Sequence, residues 1–159
     1  MTSSSAPFQP IVDDLLAATG ASRITLRLDT PGDNFPVVAE ALAPGVASIR
    51  EGRLDQRNAP TARRLMETLD VLVQSDTLAA DPPPPPELIQ HYGTLAQMLG
   101  PIVVDGAVTG WLSVHENRGP REWQPGEVAS LRAAMARVQT EVGAAGAAGT
   151  TGAAGTVAR

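Results

Sequence analysis

Two stretches of alternating residues restrict this chain to folds that contain an antiparallel β-sheet. Residues 23–28 and 108–115 each have one apolar side, and the other side is polar apart from one tryptophan. A period of two is typical of a strand with a buried face. Asp105-Gly106 precedes the second stretch, and this dipeptide favours a tight hairpin turn. We therefore predict two hairpins, one with its turn at 31–34 and one with its turn at Asp105-Gly106.

Helical periodicity surrounds these hairpins, with apolar residues three or four positions apart. Helices are predicted at 8–19, 58–69, 87–99 and 125–142. A short strand is expected at 71–75. The five prolines from Pro82 to Pro86 predict an extended spacer, because proline is excluded from helix interiors and central strands.

The composition fits one domain with short unstructured ends. With 159 residues and a hydrophobic fraction of 43%, the chain can bury one core, and an aromatic content of 3% makes that core aliphatic. Residues 1–7 are rich in serine and are expected to form a loose arm. From 143 to 159 the chain consists mostly of alanine, glycine and threonine, which predicts a disordered tail. The domain is therefore expected over residues 8–142.

The absence of two residue types narrows the chemistry. The chain contains no cysteine, and all 12 basic residues are arginine. Disulfides, thiolate nucleophiles, cysteine zinc sites and thioether-linked chromophores are therefore excluded. Schiff-base catalysis and Walker-type phosphate loops both require a lysine, so they are excluded as well.

Charge and hydropathy predict a cytoplasmic protein. The formal net charge is −5, and no basic tract is present, so nucleic acid is not an expected partner. No apolar run is long enough to cross a membrane, and the first residues do not resemble a signal peptide.

The stretch Ala96-Gln-Met-Leu-Gly-Pro-Ile-Val-Val-Asp-Gly-Ala-Val-Thr-Gly-Trp-Leu-Ser-Val-His115 resembles the late hairpin of GAF domains. Arg121, Trp123 and Glu127 resemble the segment that leads from this hairpin into the last helix of the family. The resemblance covers about residues 8–142 and implies an α/β (α+β) fold. In that fold a central antiparallel sheet of about six strands carries the terminal helices on one face and a ligand pocket on the other.

The resemblance leaves the ligand open, because this fold serves cyclic-nucleotide sensors, bilin and haem sensors and at least one small enzyme. The missing cysteine argues against a covalent bilin and against a cysteine-based reductase. The missing lysine argues against the cyclic-nucleotide motif. With only two histidines in the chain, no metal and no cofactor are expected.

Seven residues are candidates for a site that binds a small, anionic ligand. Strand alternation and the resemblance place most of them on the pocket face, and Tyr92 is a candidate lid on the preceding helix. They are Thr25, Arg27, Glu40, Tyr92, Trp111, Ser113 and His115.

Each candidate also has a structural interpretation. Arg27 either holds a carboxylate or pairs with Glu40 across the hairpin. Trp111 either lines the pocket or packs in the core. His115 is either a ligand-orienting or acid–base group, or a residue that anchors a loop.

Three functions follow from these alternatives. The first is a binding module that senses a small carboxylate-like metabolite and forms a homodimer through residues 8–19 and 125–142. The second is a cofactor-independent hydrolase or isomerase of an organic acid, with His115 as acid–base group and Arg27 as carboxylate anchor. The third is a scaffold with no ligand.

Overall fold

The computed structural model describes residues 6–29, 35–51 and 58–154, with side chains as far as residue 144. These residues form nine main elements of secondary structure. The predicted turn at 31–34 and the two chain ends lie outside the described residues. A short 3-10 turn covers Thr77–Ala79. The elements are α1 (Gln9–Thr19), β1 (Arg23–Leu28), β2 (Val37–Leu42), α2 (Pro60–Thr68), β3 (Leu72–Gln74), α3 (Pro86–Gln90), β4 (Ala96–Val104), β5 (Ala107–Glu116) and α4 (Pro125–Ala154).

The strands form one antiparallel sheet in the order β2-β1-β5-β4-β3. Among the described residues the sheet thus has five strands, where the resemblance implied about six. The predicted division of its faces is confirmed. Helices α1 and α4 pack on one face, where Ile24, Leu26, Leu112 and Leu131 are among the buried residues of the larger core.

The apolar stripe of α4 is used within the chain. Leu131 and Val138 are completely buried, and Val128 and Met135 pack against the same core. This stripe motivated the predicted homodimer, and the sheet of the same chain covers it. A dimer through α4 would therefore have to use the opposite side of the helix.

The second hairpin is longer than predicted, and the helix before it is shorter. The prediction of a helix over 87–99 is wrong, because α3 ends at Gln90 and Gly93 has a φ of 70°. Strand pairing explains the difference, because β4 begins at Ala96 and pairs with β5 along its whole length. The predicted turn is confirmed, since Asp105 and Gly106 both have positive φ, at 53° and 80°.

The last helix continues beyond the predicted start of an unstructured tail at residue 143. Helix α4 ends at Ala154. Alanine has the highest intrinsic helix propensity, and a helix that is already nucleated extends at low cost through an alanine-rich segment, in spite of its glycines.

A glycine at the centre of the sheet allows β1 and β5 to approach each other. A Cβ atom on Gly110 would lie 2.0 Å from the backbone oxygen of Arg27. We expect Gly110→Ala to lower the free energy of unfolding by about 3 kcal/mol, because strands cannot separate without loss of pairing. Urea unfolding measures this effect. Gly126→Ala is the matched control, because a Cβ atom added at Gly126 would meet nothing within 4 Å. Equal stability of the two variants would contradict the close approach of β1 and β5.

Candidate functional site

A small cavity lies against the sheet face opposite α1 and α4. The sheet contributes Arg27, Gln97, Leu99, Trp111, Ser113 and His115 to its wall. Ile49, Thr61, Pro85 and Leu88 close it from three separate segments of the chain. The volume of the cavity is about 20 Å³, so it admits a ligand of only a few non-hydrogen atoms.

Four of the seven predicted residues line this cavity. Arg27, Trp111, Ser113 and His115 are brought together because β1 and β5 are neighbours in register, with Arg27 opposite Trp111. Thr25 is opposite Ser113, completely buried, and its hydroxyl has no hydrogen-bond partner, but it does not line the cavity.

Glu40 has a different partner from the one predicted. Its carboxylate accepts hydrogen bonds from the Ser48 hydroxyl and from the Ile49 backbone N–H. Arg27 instead donates from Nη1 to the Phe35 carbonyl at 2.8 Å. Glu40 therefore holds the segment that carries Ile49 to the cavity, because its register on β2 places it beside that segment.

Tyr92 is not a lid. Since α3 ends at Gln90, Tyr92 lies in the following turn, with its ring centre 5.9 Å from the Arg23 guanidinium. Tyr92 is not among the residues that line the cavity, whereas Leu88 of α3 is.

The site also contains residues that the sequence analysis did not select. Arg23 is completely buried and donates to the Ala47 carbonyl, the Thr94 hydroxyl and His115 Nδ1. It shares a side of β1 with Thr25 and Arg27, so the alternation used for those residues could have identified it. Gln97 gave no comparable signal, because its segment was predicted to be helical.

The two arginines are buried charges that no described carboxylate contacts. Neither forms an ion pair with a described residue, and Nη2 of Arg27 has no hydrogen-bond partner although the residue is 5% exposed. Burial lowers the pKa of Arg23 and of Arg27 to about 10, and Glu40 offsets this in part from a distance. Both side chains remain charged near neutral pH, so the cavity is electropositive.

His115 is a neutral hydrogen-bond donor. Burial, together with the charges of Arg23 and Arg27, lowers its pKa well below the usual 6.5. Arg23 Nε donates to Nδ1 at 3.2 Å, so the ring proton must be on Nε2. No described residue accepts a hydrogen bond from Nε2. A general base would need a free ring nitrogen and stability as a cation, and His115 has neither.

Two other kinds of site are not found in the part of the chain that the structure describes. No three histidine or acidic side chains are grouped as metal ligands would be. No described helix is long and apolar enough to cross a membrane.

The five-stranded sheet, the paired terminal helices and the small cavity on the opposite face define an α+β domain. The GAF domain family matches residues 5–142, and the chain belongs to this family. A search of the curated proteins returns no match.

Solved structures share this fold at low sequence identity. The photoproduct state of GAF3 from Slr1393 of Synechocystis sp. PCC6803 superposes with a TM-score of 0.72 at 17% identity, covering 91% of this chain and 96% of that chain. The blue-light absorbing form of the PixJ GAF domain of Thermosynechococcus elongatus gives 0.67 at 18% identity, covering 92% and 90%. The phycocyanobilin-bound GAF domain of a cyanobacterial phytochrome gives 0.68 at 16% identity, covering 85% and 81%.

The neutral state of His115 has a measurable consequence. The unfolded chain takes up a proton on His115 as the pH falls through 6.5, whereas the folded chain does not until a much lower pH. Above pH 6.5 this residue therefore leaves the free energy of unfolding unchanged. Below pH 6.5, as long as folded His115 stays neutral, it lowers that free energy by about 1.4 kcal/mol per pH unit. In urea unfolding at about pH 7 and pH 5, the wild type should lose about 2 kcal/mol more than His115→Gln. Equal losses would mean that folded His115 accepts a proton.

Proposed function

We propose that this GAF domain binds a small anion in the cavity and acts as a sensor of it. The observation that carries the proposal is the buried, unpartnered Nη2 of Arg27, next to a second buried arginine. A buried charge without a counterion is costly, and an anion in the cavity would remove that cost. The guanidinium fork suits a carboxylate or another oxyanion.

His115 also favours a negatively charged ligand. Its Nε2–H points away from Arg23 as a second donor, and none of the described residues that line the cavity is acidic. A small carboxylate or inorganic oxyanion would accept from Arg27 and from His115. The alternative of a hydrolase or isomerase loses support, because a neutral imidazole with its Nδ1 already hydrogen-bonded is a poor acid–base group.

The bilins named for neighbouring structures do not fit this cavity. The cavity has a volume of about 20 Å³, whereas sites for large organic ligands have volumes of roughly 300–1,000 Å³. Trp111 and Phe35, whose ring centres are 4.7 Å apart, fill part of the space on this face of the sheet. The chain also lacks a cysteine for covalent attachment.

The proposal includes a homodimer, through which an occupied cavity could be reported to a partner. With the apolar stripe of α4 covered, such a dimer would use the outward side of that helix, where Ala129, Ala133 and Ala136 are exposed. Light scattering that gives a monomer at micromolar concentration would remove this part of the proposal. The cytoplasmic location stays a prediction.

Anion binding predicts a stability gain that depends on Arg27. Sodium formate, acetate and bicarbonate should be screened by thermal unfolding at constant ionic strength. A ligand present at a hundredfold excess over its Kd raises the free energy of unfolding by about 2.7 kcal/mol. Arg27→Gln should abolish the response, while Arg132→Gln, which alters an exposed ion pair with Asp70, should preserve it.

The same variant has a second expected property. In anion-free buffer, Arg27→Gln should be as stable as the wild type or more stable by about 1 kcal/mol, because it removes an unpaired buried charge. A large loss of stability, or an anion response equal to that of the wild type, would contradict a ligand-binding role for Arg27.

A further inference from the structure

One side chain in the cavity wall has the opposite hydrogen-bonding character to Arg27 and His115. Gln97 is 1% exposed, faces His115 across the β4–β5 pair and lines the cavity. Its carbonyl oxygen Oε1 is buried and has no hydrogen-bond partner, whereas its Nε2 donates to Gln74 Oε1 at 2.8 Å. Among the residues that line the cavity, Gln97 therefore contributes an unpaired acceptor, whereas Arg27 and His115 contribute donors.

The orientation of this amide is determined by its neighbours. Gln74 Nε2 donates to the Pro82 carbonyl at 2.6 Å. A carbonyl can only accept, so the Gln74 amide must direct its nitrogen to Pro82 and its oxygen to Gln97. Gln97 must then direct its nitrogen to Gln74. The carbonyl of Gln97 is thereby held as an acceptor, because turning its amide would lose a buried hydrogen bond and bring two oxygens face to face.

This arrangement distinguishes between kinds of anion. An ion composed only of acceptor atoms can satisfy the donors Arg27 Nη2 and His115 Nε2–H, but it leaves Gln97 Oε1 unpaired or in contact with a lone pair. An oxyanion that also has a hydroxyl hydrogen can satisfy all three groups. The small size of the cavity limits such an ion to a few non-hydrogen atoms.

We propose that the cavity selects a small oxyanion that carries its own hydroxyl hydrogen, the class to which bicarbonate belongs. The negative oxygens face Arg27 and His115, and the hydroxyl donates to Gln97 Oε1. This inference rests on the proposed function, because it requires an anion in the cavity. Gln74 acts on selectivity only as a positioning residue that holds the Gln97 amide.

Bicarbonate and nitrate provide a matched pair of probes. Both are planar monoanions with one central atom and three oxygens, and only bicarbonate carries a hydrogen. Isothermal titration should be done in sealed cells at mildly alkaline pH, in chloride-free buffer with gluconate as the supporting anion, since gluconate is too large for the cavity. We expect bicarbonate to bind the wild type about tenfold more tightly than nitrate, the ratio expected for one buried hydrogen bond.

Two variants isolate the contribution of the carbonyl. Gln97→Met preserves the length of the side chain and removes the acceptor, so the two Kd values should become equal. Gln74→Met retains the Gln97 carbonyl but frees the amide to turn, so the preference should also be lost; it serves as a second test if Gln97→Met does not fold. Gln139→Met on α4, at a residue that accepts from the Val103 N–H, is the matched control and should retain the preference.

The outcomes separate this inference from the proposed function. Equal binding of nitrate and bicarbonate by the wild type, or a preference that survives in Gln97→Met, would overturn the selectivity while leaving anion binding in place. Failure of both anions to bind the wild type would overturn anion binding itself.

Discussion

Two guanidinium groups lie buried on one face of the sheet, and no described carboxylate contacts either of them. Removing such charges from water is among the most costly events in folding, so their surroundings follow from them. Backbone carbonyls from Phe35 and Ala47 accept from the two arginines, and His115 stays neutral so that it can accept as well. What these contacts do not satisfy is Nη2 of Arg27, and this unpaired donor is the basis of the proposed anion site.

The opposite face of the same strands supplies the stability that this arrangement requires. Ile24, Leu26, Leu112 and Val114 belong to one aliphatic core under α1 and α4. Because side chains alternate along a strand, the register that buries these residues also fixes the positions of Arg23, Thr25, Ser113 and His115 on the other face. Core packing and site geometry are therefore set by a single register between β1 and β5.

The sequence was informative wherever one strand face is polar. Alternation identified β1 and β5, and it predicted the common face that Arg27, Trp111, Ser113 and His115 share. Alternation fails on β4, because Met98 and Leu99 are adjacent, apolar and buried in different clusters on opposite faces. The helix predicted there concealed Gln97. The role of Gln74 was beyond sequence analysis, since it depends on the β3–β4 register and on the carbonyl of Pro82.

The central claim, an anion held between Arg27 and His115, is tested most directly by anomalous X-ray diffraction from crystals soaked in sodium bromide. Bromide is monatomic, carries the required charge and can be located without assumptions about its shape. We predict an anomalous peak inside the cavity within hydrogen-bond distance of Arg27 Nη2, and no such peak in crystals of Arg27→Gln. A cavity without bromide in the wild type, with bromide bound only at surface arginines, would contradict this account.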